Sequence, residues 1–174
     1  MSIKRTSEAK WEGSIKEGKG NIRLGSGAFE GPYSFNSRFG DDTKPTNPEE
    51  LIAAAHAGCF TMAFSGFLGR SGYEATSIET KAVVHLEKEG EGFSIPKIDL
   101  IMEASVPNIA DEEFQEIAKT AKEKCPVSRV LAGAEIVQDI GAFVQRQERP
   151  GLFLDVKRRQ MSGPLVLRED RRRG

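Results

Sequence analysis

The sequence predicts an α+β domain in which antiparallel strands surround one long central helix. Three observations lead there. An uncharged run from Leu51 to Gly69 is too long and too apolar for a loop. Segments on either side of it alternate polar and apolar residues with the period of a strand. These strands come in runs joined by turns, not in alternation with helices, which argues against a parallel βαβ repeat. The chain has 174 residues, 38% of them hydrophobic, enough for one domain with a real core. Its formal net charge of −1 gives no electrostatic reason to expect nucleic acid or an anionic membrane as partner. The N-terminus has no apolar segment or cleavage pattern of a secretory signal, so the expected location is the cytoplasm.

Taken in order, Ile3 to Asn21 reads as a strand, a turn at K-E-G-K-G and the start of a second strand, and Gly25 and Gly27 break the pattern. Pro32 to Phe39 reads as a third strand, with Phe35, Ser37 and Phe39 on one face and Asn36 and Arg38 on the other. The central helix spans Thr46 to Arg70, with Asn47 suited to the N-cap, Pro48 to the first helical position and Glu50 to the acidic place of a capping box. Being apolar nearly all round, it should be wrapped. Its length satisfies the criterion for a membrane span, but Ala, Gly, Ser, Thr and His56 dilute it and no basic cluster flanks it, so a buried helix of a soluble protein or dimer fits better.

Thr76 to Glu87 then alternates around Ile78, Lys81, Val83 and His85. After the turn E-K-E-G-E-G, Phe93 to Val106 alternates with one slip near Pro96, completing an antiparallel hairpin. Asp111 opens a second helix with Phe114, Ile117, Ala118 and Ala121 as its inner stripe. Cys125-Pro126 interrupts it, Val127 to Ala132 adds a further turn or two, and Ala134 to Ile140 is a last strand. Two regions result: a folded domain over 1–140 and a basic, irregular tail over 141–174. From Val137 onward nine Lys or Arg stand against five Asp or Glu, about +4, leaving about −5 in the first 136 residues.

The chemistry rests on two cysteines. Cys59, near the middle of the apolar helix, reads either as an inert buried thiol or as a reactive one. Cys125 precedes Pro126 at a helix start, where unpaired N–H groups and the helix dipole can lower a thiol's pKa, or it is merely a junction. His56 and Cys59 could share a face, yet two His and two Cys without a CxxC or HxxxH spacing are a poor metal set, so His56 reads as a hydrogen-bonded core histidine and no metal is expected. No G-x-S-x-G elbow is present for a serine hydrolase.

The segment N-P-E-E-L-I-A-A-A-H-A-G-C-F, followed about 65 residues later by C-P-V-S, with A-K-W-E-G and P-Y-S-F-N-S-R-F upstream, resembles the OsmC/Ohr family and its osmotically inducible OsmC branch. The resemblance runs from about Ile3 to Ile136. It implies a thiol-dependent peroxidase that reduces organic hydroperoxides and hydrogen peroxide, folded as an intertwined homodimer and acting in oxidative and osmotic stress. By the same resemblance Cys59 is the peroxidatic cysteine, Cys125 the resolving one, Arg38 the residue that stabilises the thiolate and Glu49 the carboxylate that holds Arg38. No cofactor or metal is implied. The partners are a second copy of the chain, peroxide substrates and an external thiol or dithiol, with no nucleic acid or membrane. A non-catalytic redox-sensing or small-molecule-binding dimer is the alternative.

A buried Cys59 would ionise near neutral pH only beside a cation, and Arg38 cannot lose its proton. Glu49 and Cys59 lie about 15 Å apart along one helix, so a single Arg38 contacting both would have to span much of that distance. Two antiparallel copies of the helix about a two-fold axis would instead bring the Arg38 and Glu49 of one chain to the Cys59 of the other. The departure from the family is the basic tail, which puts the last strand in doubt.

Overall fold

The computed structural model describes residues 2–143. The tail expected over 141–174 lies outside the described residues from 144 on. The elements run β1 (Ser7–Glu12), β2 (Lys19–Leu24), β3 (Glu30–Tyr33), α1 (Phe35–Phe39), α2 (Pro48–Arg70), β4 (Ser77–Glu89), β5 (Gly92–Ser105), α3 (Asp111–Lys124), α4 (Pro126–Val130) and β6 (Glu135–Phe143). They form an α+β domain of two three-stranded sheets, β1-β2-β3 and β4-β5-β6.

The expectation of antiparallel sheets holds at every pair but one. β6 lies parallel to β5, with Ile98 opposite Ile136 and Met102 opposite Ile140. The chain reaches it by a crossover through α3 and α4, which is the kind of connection a parallel pair requires. The strand itself extends to Phe143, past the expected Ile140.

A second correction falls just before the central helix. Phe35 to Phe39 is a short helix, not the end of a strand. Ser34 caps it: its Oγ accepts from the Ser37 N–H at 3.0 Å, and the Ser37 Oγ accepts from the Ser34 N–H at 2.9 Å. That reciprocal pair fixes a helix start where a five-residue stretch is too short for periodicity to decide. Phe35 and Phe39, four apart, stack at 4.9 Å between centroids as helical neighbours do.

The start of α2 is as expected. Asn47 accepts from the Glu50 N–H at 2.8 Å, but the Glu50 carboxylate takes the Thr46 hydroxyl at 2.7 Å and leaves the capping box half made. One face of α2 carries Phe60, Phe64 and Leu68 at four-residue steps. They pack with Leu100, Met102 and Ala104 of β5 and with the Phe114, Ile117, Ala118 and Ala121 stripe of α3. Each large side chain so buried contributes roughly 1.5–3 kcal/mol. Phe64 meets Phe114 edge-on at 5.1 Å. From β4 it is Ile78 and Ala82 that join this core. Lys81, Val83 and His85 fall on the opposite face, across from Ile101, Asp99 and Lys97. The slip near Pro96 is a bulge between the His85 and Glu87 pairings.

Among the described residues the helix is wrapped on one side only. Ala54, Ala55, Gly58, Met62, Ser65 and Gly66 are exposed, Met62 at 77%. The first sheet also packs little against the other described elements, and the β1 side chains are mostly exposed.

Candidate active site

Two clusters carry the expected site residues, and they sit at different heights along α2. The lower one is built by α1 and the first turn of α2. The Arg38 guanidinium holds the Glu49 carboxylate with two nitrogens, Nε at 3.1 and 3.2 Å from its oxygens and Nη2 at 2.7 Å from Oε1. Such a fork fixes orientation as well as charge. Glu49 is buried, whereas the Arg38 side chain is 37% exposed. Arg38 also lies over the Phe39 ring at 5.0 Å, and Phe39 packs on Phe93 at 4.7 Å, which ties the short helix to the start of β5. Without the Ser34 cap this arginine would sit on an extended strand and lose that approach.

The upper cluster joins the middle of α2 to the junction of α3 and α4. Cys125 is fully buried there, Cys59 partly so; both are free thiols, and their Sγ atoms are 3.2 Å apart. Sulfurs at this distance need only a small movement to bond. Burial pushes the Cys59 thiol up, its Cys125 neighbour adds to that, and only the Val127 N–H opposes. Burial would push Cys125 up as well, but the Ser128 N–H and hydroxyl, the Cys59 thiol and the Val127 N–H outweigh it and hold Cys125 below the ordinary cysteine value. Among the described residues of one chain, then, Cys125 is the more acidic thiol and no cation offsets the burial of Cys59. Arg38 is bound to Glu49 about 15 Å along the helix, so one chain does not bring Arg38 and Glu49 together with Cys59.

The expected core histidine joins the middle of α2 to the first turn of α4. His56 is fully buried, and its Nε2 is 2.8 Å from the Ser128 Oγ. Burial holds its pKa below the ordinary value, and Lys122 on α3 adds to that. Ser128, the last residue of C-P-V-S, lies three residues past Cys125 in the first turn of α4.

A groove of about 490 Å³ opens beside the N-terminal half of α2, with Phe29, Pro32, Pro45 and Leu51 in its lining and the charged Glu30, Lys44 and Glu50 beside them. Neither cysteine lines it.

The OsmC-like protein family matches this chain over residues 40–139. The chain is 51% identical over 140 residues to Peroxiredoxin OsmC of Escherichia coli (strain K12), covering 80% of this chain and 96% of that protein. It is 36% identical over 94 residues to the organic hydroperoxide resistance protein-like 1 of Staphylococcus saprophyticus, covering 53% of this chain and 66% of that protein. Among solved structures, an organic hydroperoxide resistance protein from Elizabethkingia anophelis shares the fold with a TM-score of 0.64 at 23% identity, over 82% of this chain and all of that one. An OsmC-like protein of unknown function from Vibrio cholerae does so with a TM-score of 0.66 at 17% identity, over 80% of this chain and 99% of that one. With a matching segment that holds Glu49, Cys59 and Cys125 and a shared fold around it, the chain belongs to the OsmC-like family.

Proposed function

We propose that the protein is a thiol-dependent peroxidase that reduces organic hydroperoxides, and hydrogen peroxide with them, in oxidative and osmotic stress defence. The observation that carries this is the pair of free thiols, Cys59 and Cys125, with sulfurs 3.2 Å apart. The relatives named for peroxiredoxin activity and organic hydroperoxide resistance support it. The Cys59 thiolate attacks the distal peroxide oxygen, the O–O bond breaks, and the leaving alkoxide takes a proton and departs as an alcohol. Cys59 is left as a sulfenic acid, which condenses with Cys125 to a disulfide and water. An external thiol or dithiol supplies the two electrons that reopen it. This scheme uses no cofactor or metal.

The working unit in this reading is a homodimer. Two α2 helices pack antiparallel through their exposed stripe of small residues and Met62, and the partner's Arg38, held by the partner's Glu49, faces Cys59. The one-sided cover of α2 and the separation of the two clusters within a chain support this arrangement. The cation then overcomes the burial that raises the Cys59 pKa, and the groove beside the lower cluster, through Phe29, Pro32, Pro45 and Leu51, takes the organic part of the peroxide. The protein works in the cytoplasm, with α2 as the core helix of a soluble dimer and with neither membrane nor nucleic acid as partner.

The test is consumption of cumene hydroperoxide by the reduced protein with dithiothreitol present. Turnover well above that of the dithiol alone is expected. Its absence would leave a redox-sensing or ligand-binding dimer and overturn the enzyme reading.

A further inference from the structure

We propose that the hydrogen bond between His56 and Ser128 pins α4 to α2 and so holds Cys125 within reach of Cys59, which makes His56 and Ser128 positioning residues for closure of the disulfide. The inference rests on the peroxidase reading for its reaction step and on the contact of two helices for the pin itself.

The short helix has little else to hold it. Cys125 is extended, so α3 ends at Lys124 and the five residues from Pro126 to Val130 form a helix of their own. Five residues are far too few for a helix to persist alone. Val127 packs against the core, whereas Arg129 and Val130 are exposed, Val130 at 83%. Among the described residues, two side-chain contacts of hydrogen-bonding type join α4 and its Cys125 cap to α2: His56 Nε2 to Ser128 Oγ at 2.8 Å, and the two thiols at 3.2 Å. They are successive rungs between the same two elements. His56 precedes Cys59 by three residues, about 4.5 Å along α2, and Ser128 follows Cys125 by three. The imidazole serves this bond alone. Its Nδ1 is buried without a partner, again among the described residues, and a buried N–H without an acceptor is costlier than a bare lone pair. The single proton of the neutral ring therefore sits on Nε2 and is donated to Ser128. Both residues are buried, where water does not compete for the bond. A leucine in place of His56 would fill the space without an orphaned nitrogen; what it lacks is a bond of fixed length and direction to α4.

The pin acts before the disulfide exists. Once the sulfurs are bonded they tie α4 to α2 themselves; until then the hydrogen bond does so, and without it α4 would sample other positions and the effective concentration of one sulfur at the other would fall. The step served is the second half of the cycle. The Cys125 sulfur attacks the sulfur of the Cys59 sulfenic acid; the S–S bond forms as the S–O bond breaks. The departing hydroxide takes up, through solvent, the proton that the Cys125 thiol gave away, and leaves as water. Cys125 is oxidised and the sulfenic acid reduced to the disulfide level. A resolving sulfur held in place reaches the sulfenic acid ahead of a second peroxide molecule, which would carry Cys59 on to the sulfinic acid.

Two measurements test this. The first is the equilibrium of the Cys59–Cys125 disulfide with dithiothreitol, in which two electrons and two protons pass from the protein thiols to the oxidised dithiol; it needs no peroxide and stands whether or not the enzyme reading does. The informative variant carries His56→Leu and Ser128→Ala together, because replacing both partners by apolar groups removes the bond without leaving a buried polar atom unpaired. Its oxidation constant should fall about twofold to tenfold, the range for one neutral hydrogen bond. Ser128→Ala alone, which removes a single oxygen, should fall by a similar factor and gives the same reading where the double change disturbs the core, while Ser128→Thr keeps the hydroxyl and should stay near the parent. A pair that merely stabilises the fold acts on the reduced and oxidised forms alike and leaves the constant unmoved, which overturns the pin. The second measurement is single-turnover kinetics with cumene hydroperoxide. The disulfide-forming phase should slow in the same variants, with Cys59 sulfinic acid accumulating correspondingly, and an unchanged second phase also overturns the pin. A parent protein that consumes no peroxide overturns the peroxidase reading instead.

Discussion

Replacing Arg38 by alanine separates a site contained in one chain from a site shared by two. Within the chain the guanidinium is pinned to Glu49, so its distance from the Cys59 sulfur is set by ten residues of α2, about 15 Å. Through water a unit charge at that distance contributes about 0.3 kcal/mol, less than a twofold change in the thiolate population. At about 4 Å across a dimer interface, with the effective dielectric of a partly buried pair, the same charge contributes about 4 kcal/mol. The Arg38 side chain is 37% exposed in the single chain, and halving the figure for residual solvent screening leaves about 2 kcal/mol, or roughly thirtyfold. The assay is the stopped-flow rate at which cumene hydroperoxide oxidises Cys59 at neutral pH. Arg38→Ala should lower it by about thirtyfold on the shared-site geometry and by less than about twofold otherwise. Co-refolding Arg38→Ala chains with Cys59→Ser chains adds a second reading. Random pairing gives half heterodimers, each with one complete site, so about a quarter of parental activity should return. A mixture no more active than its separate components refutes the shared site.

Cys59→Ser should abolish turnover, whereas Cys125→Ser should allow one sulfenic acid per chain, trapped by dimedone and counted by mass spectrometry, before over-oxidation. Met62→Asp puts a charge into the exposed apolar stripe of α2 and should shift the protein from dimer to monomer in analytical ultracentrifugation, with its peroxidase activity lost alongside. His56 carries a folded-state pKa below its unfolded value of about 6.5, so the neutral ring's contribution to stability is complete above pH 6.5 and is lost as pH falls through the folded value. Urea midpoints measured downward from pH 7 should therefore fall more steeply for the parent protein than for His56→Gln.

The elements that could be read from the chain are those whose residues act locally. Asn47, Pro48 and the acidic first turn mark the start of α2, and the stripe from Phe114 to Ala121 marks α3, because capping and helical periodicity are written in adjacent residues. Phe35 to Phe39 was misread because five residues show almost no period and the deciding event is the Ser34–Ser37 exchange of hydrogen bonds. The parallel placement of β6 depends on where a crossover of two helices delivers the chain, which no single segment encodes. At the candidate site, the two cysteines and the Arg38–Glu49 pair were legible through the family's motifs. The acidity of Cys125 relative to Cys59 was only half so: Cys-Pro announces a helix start, but the burial that raises Cys59 and the Val127 and Ser128 N–H groups that lower Cys125 arise where α4 meets α2. His56 is the hydrogen-bonded core histidine expected, but its partner could not be named for a similar reason, since Ser128 lies 72 residues away.

The same long separation between the two thiols acts on the chain while it is being made. Cys125 follows Cys59 by 66 residues, which at about 5–20 residues per second leaves a nascent Cys59 without its neighbour for roughly 3–13 s. By the end of that interval β5 has been made and β6 has not, so the β5 edge is open, because residues 135–143 are synthesised last among the described elements. Peroxide met on the ribosome would leave Cys59 at an oxidation level that no thiol of its own chain could resolve. A culture stressed during rapid translation should therefore carry over-oxidised Cys59 mainly in newly made chains, which pulse-labelling ahead of mass spectrometry can distinguish from the older pool.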